Sequence, residues 1–402
     1  MSVRHLLWAS AISFAIGLFL LGGQLVRSQA PHSGRSELLL ESPRTATHRL
    51  VDSISRPLWG KHWLAVGSTV SDCDALRRHR FVVAVIVPGM GGFGDRLVCI
   101  EGAGLLAIAT NATLLISWED PAFALSQFWT PHLWEWNYAA YSHCLDQVDA
   151  TILRQIDSLP PGIEHVLDGR FHVLKYTSNI GLFPRLAAIS PDAVAAARPF
   201  YPRLLLHSLF RPSASIEAFL QPMLQWLGNR DLVVLQVRVF AAAIGDTFKS
   251  PWSGLKSYQA IADVFLACAD TGADLAGLLP ARLAYVILSD DVHTEAEFRK
   301  RLGDRCWSFA NSSPPVHIDR PNANRDNLAL LRTLAEAWIP AISDIVVFTA
   351  ASGFSRTASG FLESSTPVLA VVPRSFEPHP VESSYHHICA AVSPLQRTFK
   401  LD

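Results

Sequence analysis

Four short stretches of this chain carry residue types suited to a charged ligand. One is the glycine-rich turn "GMGGFGDR", Gly89 to Arg96, in which Gly89, Gly91 and Gly94 fit the spacing G-x-G-x-x-G. The others are Arg238 after the apolar run "VVLQV", the "SDD" of Ser289-Asp290-Asp291, and the serine-rich "TAASGFSRTA". Glycine has no Cβ, so a loop of glycines lets the backbone approach a pyrophosphate. A guanidinium offers phosphate oxygens a planar, permanently charged fork. In the serine-rich stretch, Ser352 can cap a helix that begins near Phe354, leaving the Ser355 hydroxyl and the first-turn amides to receive an anion. Singly, each has a structural explanation: a strand-end arginine makes a salt bridge, an "SDD" caps a helix, and Ser352-Gly353 makes a turn. Their common placement is what gives them weight.

That placement follows from the elements between them. The pattern predicts a strand at Val82–Val87, a helix at Asp95–Thr110 and a strand at Leu114–Trp118. A section rich in Trp, Tyr and Pro then runs to about Arg230. Leu232–Val237 is a continuous apolar run, suited to a strand covered on both faces. Helices are predicted at about Ser257–Ala269, His293–Leu302 and Arg325–Ile342, and from Phe354. Strands are predicted at Leu283–Ser289, Ile345–Thr349 and Pro367–Val372. Strands alternating with helices imply parallel sheets. Arg238, Asp290-Asp291 and Ser352 then all fall at carboxyl ends of strands, the edge at which open α/β sheets bind ligands. The expected architecture is α/β, with two nucleotide-type domains facing across a cleft.

The glycine spacing alone also admits a dinucleotide-binding oxidoreductase, with Glu119 or Asp120 at the end of the next strand as the ribose carboxylate. Asp95 argues against it, because it puts a negative charge at the helix start where a pyrophosphate needs free amides and the positive dipole end.

Half of the residues are hydrophobic, 17% are charged and the net charge is −1, which describes a globular chain with no basic surface for nucleic acid. The apolar run Leu6–Val26 follows Arg4 and His5 and precedes Arg27. It is long enough to cross a hydrocarbon core of roughly 30 Å as a signal anchor. The rival is a cleaved signal peptide with Leu6–Leu21 as its apolar region. Either reading places the bulk of the chain in the secretory pathway. Two N-x-S/T sequons, at Asn111 and Asn311, fit that compartment, although Asn111 precedes a strand and is expected to be rather buried. Six cysteines allow up to three disulfides and none has metal-ligand spacing; Cys99 is expected to be a buried thiol. The domain organisation expected is anchor 1–27, stem 28–75, N-terminal α/β domain 76–228 and C-terminal Rossmann-like domain 229–402.

Taken in order, the four stretches resemble the GDP-fucose-dependent fucosyltransferase superfamily of the two-domain GT-B type. That group includes α1,6- and plant α1,2-fucosyltransferases and protein O-fucosyltransferases. The matching blocks are Gly89–Arg96 with the strand "LLISW", Gln236-Val237-Arg238, Ser289-Asp290-Asp291, and "TAASGFSRTA". The family usually has histidine where Gln236 stands, while plant xyloglucan-type enzymes also tend to carry Gln there. The resemblance implies that Arg238 binds the β-phosphate of the departing GDP, and that Asp290 or Asp291 contacts the guanine or ribose side. It implies that Ser352, Gly353, Phe354 and Ser355 hold phosphate at a helix start, and that Glu336 stands at a donor-binding acidic position. Gly91, Gly92, Phe93 and Gly94 would close over the pyrophosphate, with Arg96 assisting. The implied reaction is inverting, metal-independent transfer of L-fucose from GDP-fucose to a glycan or glycoprotein hydroxyl, with no cofactor, by a single-pass type II Golgi membrane protein.

The acceptor's general base is not fixed by the sequence; Asp95 and Asp246 are candidates beside a structural role for each. The aromatic stretch Phe128–Cys144 either stacks an acceptor sugar or packs a core. A non-catalytic nucleotide- or glycan-binding protein of the same fold is the second functional class. A metal-dependent transferase using Asp290-Asp291 fits less well, since it leaves a second α/β domain unexplained.

Overall fold

The computed structural model describes residues 73–119, 123–132, 134–156, 158–192, 206, 209–239, 257–309, 327–350, 352, 366–372 and 388–391. The expected anchor and nearly all of the stem lie outside these residues. So do Asp120, Asp246, Asn311, Gly353, Phe354 and Ser355. Among the described residues no helix is long and apolar enough to cross a membrane.

The first sheet contains β1 (Phe81–Ile86), β2 (Thr113–Trp118), β4 (Ala150–Arg154) and β5 (Val173–Thr177). Their order is β2-β1-β5-β4 and every pairing is parallel. All six residues of β1 are buried, as its β-branched composition requires of a central strand. Helix α1 (Phe93–Thr110) crosses back from β1 to β2 and ends at Asn111, which adopts the left-handed conformation at φ 51°. It starts earlier than the Asp95 expected, because Asp95 lies inside its first turn and caps it. Asn111 is exposed rather than buried, since the cap turns it out of the helix before β2 begins.

The aromatic section that follows β2 is largely core. Trp129 and Tyr141 are 1% exposed and Trp136 is 2% exposed, so these rings pack and do not offer an open sugar platform. It also holds β4 and β5, which no apolar run marks in the sequence, and a short antiparallel pair, β3 (Trp129–Pro131) with β6 (Phe210–Pro212). Helix α2 (Ala214–Leu227) closes the section.

The second sheet contains β7 (Asp231–Val237), β8 (Leu283–Ser289), β9 (Cys306–Ser308), β10 (Ile345–Thr349), β11 (Val368–Val372) and β12 (Ile388–Ala391). Its order is β12-β11-β10-β7-β8-β9, parallel except for the edge strand β12. Counted from β7, this is the 3-2-1-4-5 progression of a doubly wound nucleotide-binding sheet with one further antiparallel strand. The chain reverses direction between β7 and β10, so the crevice above those two strands is its topological switch point.

Helix α3 (Tyr258–Ala276) runs past the expected Ala269 and stops at Gly277, whose φ of +65° ends it. Helix α4 (Val292–Leu302) follows β8. Helix α5 (Asn327–Trp338) gives way to a 3-10 turn at Ile339–Ile342, where Pro340 removes an amide donor, so the α-helix is shorter than its apolar pattern suggested. Two disulfides, Cys73–Cys144 and Cys268–Cys389, join the described residues. Cys99 and Cys306 are free thiols, and burial pushes each up to about 12.

Candidate functional site

The site begins with the pleat of β7. Val233, Leu235 and Val237 pack on one face with α3, whereas Leu232 and Val234 face the core that includes Leu334 and Trp338 of α5. Gln236 and Arg238 continue the second series, at the carboxyl end of the strand. The Arg238 amide donates to Thr349 Oγ1 at 3.0 Å, across the switch point at the end of β10. Its guanidinium Nη1 lies 3.2 Å from Asp290 Oδ2 at the end of β8. Asp290 Oδ1 accepts the Val239 amide at 2.7 Å. The Arg238 side chain is 18% exposed and that of Asp290 is 1% exposed, so the arginine keeps some access to solvent while the carboxylate paired with it is buried.

The two aspartates therefore divide. Asp290 anchors Arg238, and Asp291 caps α4, its Oδ2 accepting both the Thr294 amide and the Thr294 hydroxyl at 2.8 Å. Ser289 donates its hydroxyl to the Val237 carbonyl at 2.9 Å, which ties β8 to β7 just below the site. Gln236 is buried, and its Oε1 has no hydrogen-bond partner among the described residues. Ser352 is buried and its amide donates to the Thr349 carbonyl at 3.0 Å, turning the chain at the end of β10.

Glu336 is paired within its own helix. Its Oε1 accepts Arg332 Nε at 2.6 Å, one helical turn earlier on α5. Arg332 Nη2 also meets Glu295 Oε1 of α4 at 2.5 Å, and its Nη1 donates to the Phe309 carbonyl at 3.0 Å. Glu295 and Arg332 are each 1% exposed. Burial raises the Glu295 carboxyl to about 7, despite the opposing pull of Arg332. Burial raises Glu336 as well, and Glu336 also feels the charges of Asp290 and Arg238. Arg332 and Glu295 were not singled out in the sequence. The Arg332–Glu336 spacing was legible there as a helical i,i+4 pair, but nothing local brings in Glu295, which comes from another helix.

The glycine loop follows β1. Gly89 and Gly91 have φ of +81° and +100°, which side-chain-bearing residues rarely adopt. Asp95 Oδ2 accepts the Gly92 amide at 2.8 Å, and a Cβ on Gly91 would collide with that carboxylate. Arg96 is fully buried, with its Nε 3.5 Å from the Gly91 carbonyl and its guanidinium over the Trp118 ring at 5.3 Å. Asn179 Nδ2 donates to the Met90 carbonyl at 3.2 Å. Asp95, Arg96 and Asn179 thus hold the loop in shape. Phe93, at the helix start, stacks on Trp129 at 6.1 Å, and Trp129 meets Trp338 at 5.4 Å. The loop and the end of α5 are linked through three rings.

A surface cavity of about 880 Å³ lies elsewhere, lined by residues including Trp226, Arg230, Arg299 and Trp307. It sits toward the amino ends of β7 and β9, beside the C-terminal end of α4. Arg230 covers the Trp226 ring at 4.1 Å and Trp307 lies 5.6 Å from that ring, so the aromatic surfaces there are already used.

No family model matches the sequence, and no curated protein matches it. Solved structures do match. The chain is similar to fucosyltransferases of known structure. One is an arginine-to-lysine mutant of Arabidopsis thaliana FUT1 in complex with GDP, at 13% identity and a TM-score of 0.48 over 86% of this chain and 81% of that one. NodZ α1,6-fucosyltransferase soaked with GDP-fucose aligns at 14% identity and a TM-score of 0.42, covering 75% of this chain and 97% of its own. POFUT1 in complex with GDP aligns at 12% identity and a TM-score of 0.40, covering 74% and 99%.

Proposed function

We propose that this protein is an inverting glycosyltransferase that moves L-fucose from GDP-fucose to a glycan or protein hydroxyl without a metal. The observation that carries the reading is Arg238 at the switch point between β7 and β10, partly exposed and held from behind by buried Asp290. The four sequence blocks stand in the order of the fucosyltransferase superfamily, and the donor would lie across the second sheet with the glycine loop of the first sheet over its pyrophosphate. This is a two-domain GT-B arrangement, divided near residue 228.

In the transfer, the acceptor oxygen bonds to the anomeric carbon as the bond from that carbon to the β-phosphate oxygen breaks. The bonding electrons leave with GDP, and the developing oxyanion is where a fixed guanidinium lowers the barrier most. Ser352, with the serine-rich residues that follow it in the sequence, serves the same phosphate. The acceptor proton passes to a base; Asp95, a sequence candidate, already accepts the Gly92 amide and supports the loop instead. Residues 6–26 anchor the enzyme in the Golgi membrane with its catalytic part in the lumen.

The second reading is a non-catalytic nucleotide- or glycan-binding protein, favoured by the Arg238–Asp290 pair already being closed and by Gln236 in the usual histidine position. The dinucleotide reading loses ground, since Asp95 puts a carboxylate in the first turn of α1 and already takes the amide of the N-cap residue, Gly92. Calorimetric titration of the full chain with GDP, UDP and NAD, alongside Arg238→Ala, tests all three. Saturable GDP binding that weakens about tenfold or more in the variant supports the donor site, as expected for loss of a charge-assisted pair. NAD binding indifferent to Arg238 sinks it. Transfer of fucose to an acceptor library then separates the enzyme from the binder.

A further inference from the structure

Arginines stand at both ends of β7. Arg238 follows its last residue and Arg230 precedes its first, so the strand holds them roughly 25 Å apart. At the Arg230 end the surface cavity of about 880 Å³ is lined by Arg230, Arg299 and Lys300, with Asp304 as the carboxylate among its described lining residues. That volume falls in the range of small-molecule pockets and far exceeds a single ion. Arg299 and Lys300 belong to the last turn of α4, where the negative end of the helix dipole gives basic residues a local reason to stand. Their neighbour Arg301 is taken up by Glu297 and Asp263. Neither reason extends to Arg230, which comes from the turn between α2 and β7.

The cavity wall carries donors and positive charge without matching acceptors. The Arg230 guanidinium donates to the carbonyls of Leu227 at 3.2 Å, Asp304 at 3.4 Å and Trp226, and pairs with no carboxylate among the described residues. The Arg299 guanidinium has neither an ion pair nor a hydrogen bond among the described residues. Glu295 feels its charge but is already bound to Arg332. Lys300 is 72% exposed and reaches Glu297 only at 3.9 Å. Trp226 Nε1 donates to the Asp304 carbonyl at 3.3 Å, whereas Trp307 Nε1 is a buried donor with no hydrogen-bond partner among the described residues.

We propose that this cavity is a second ligand site, for a small polyanion carrying sulfate or phosphate ester groups, with Arg230 and Arg299 as its principal contacts. Guanidinium forks suit such esters, and because the Trp226 ring is covered by Arg230, recognition there rests on charge and not on stacking. The site stands at the opposite edge of the sheet from the Arg238 crevice, whatever binds in that crevice.

Calorimetric titration of the full chain tests it with a heparin tetrasaccharide for sulfate esters, inositol hexakisphosphate for phosphate esters and neutral chitotetraose as reference. Saturable binding of either ester probe, weakened about tenfold or more in Arg230→Gln/Arg299→Gln, is the expected result, and the probe that binds identifies the ester. Arg78→Gln/Arg170→Gln removes the same charge from two exposed arginines elsewhere and should leave the affinity unchanged. If loss of the Arg230 contacts unfolds the chain, as thermal midpoints would show, Arg299→Gln alone at its exposed position should still weaken binding several-fold. Saturating GDP should not alter the affinity for the ester probe. Binding of neither ester probe, equal affinity for chitotetraose, equal weakening in the two double variants, or competition with GDP overturns the proposal.

Discussion

The indole rings of Trp129 and Trp338 meet edge to face, their centroids 5.4 Å apart and their planes at 69°. Trp338 closes α5 two residues after Glu336, and Trp129 stacks on Phe93 at the start of α1. The rings therefore connect the glycine loop to the helix that backs the Arg238 crevice. Trp129→Ala should lower unfolding stability by about 3–5 kcal/mol, the usual result of emptying a large buried aromatic site. Urea unfolding of the two proteins measures it, and a change below about 1 kcal/mol would mean the contact is incidental.

Gly91 is tested by its own side-chain limit. Alanine there must adopt a φ of +100° and push its Cβ against the Asp95 carboxylate that caps α1. Gly91→Ala should cost about 1–3 kcal/mol from backbone strain and loss of the cap. Adding Asp95→Ala removes the collision but not the φ, so the double variant should be less destabilised than the sum of the two single changes. Strict additivity in a double-mutant cycle would argue that the loop does not have this shape.

Glu295 predicts how stability depends on pH. Its carboxyl is raised to about 7 in the folded state by burial, against 4.5 for an ordinary glutamate. The folded state then holds the proton more tightly than the unfolded one, so the contribution is present in full below about 4.5 and is lost as pH rises through about 7. Over that window the loss amounts to about 3 kcal/mol, on the order of 1.36 kcal/mol per unit. Glu295→Gln should flatten this part of the profile. Parallel curves for wild type and variant across pH 4.5 to 7 would show that Glu295 titrates normally.

The disulfides give a chemical count. Unfolded but unreduced protein should react with two equivalents of a thiol reagent, at Cys99 and Cys306, and with six after reduction. The Cys268–Cys389 bond spans 121 residues and fastens the edge strand β12 to α3. Replacing both of its cysteines by serine should cost about 2–5 kcal/mol. No change in the denaturation midpoint would indicate that the bond does not form.

Much of this arrangement was legible along the chain. Continuous apolar runs fixed the cores of β1, β7, β8 and β10 to within a residue, because a strand covered on both faces has no polar position to confuse its ends. Arg238 and Asp290 could be placed at strand carboxyl ends for the same reason. β4 was not legible: polar Thr151 and Arg154 leave only Ile152 and Leu153 between them, too short an apolar run to mark a buried strand. The burial of the Trp-rich stretch was equally hidden, since an aromatic ring reads the same whether it packs a core or stacks a sugar.

By itself, the sequence determined the alternation of strand and helix, the glycines that a tight loop after β1 requires, and the polar residues at the ends of the second sheet's strands. These are local matters, set by side-chain volume, branching and the allowed φ of each residue. Only the tertiary structure decided which of two adjacent aspartates turns inward to Arg238 and which caps a helix. It also joined Glu295 to Arg332 from another helix and placed Arg238 at the switch point. Those outcomes depend on strand order and on the burial of charge, which are properties of the packed chain and not of any segment within it.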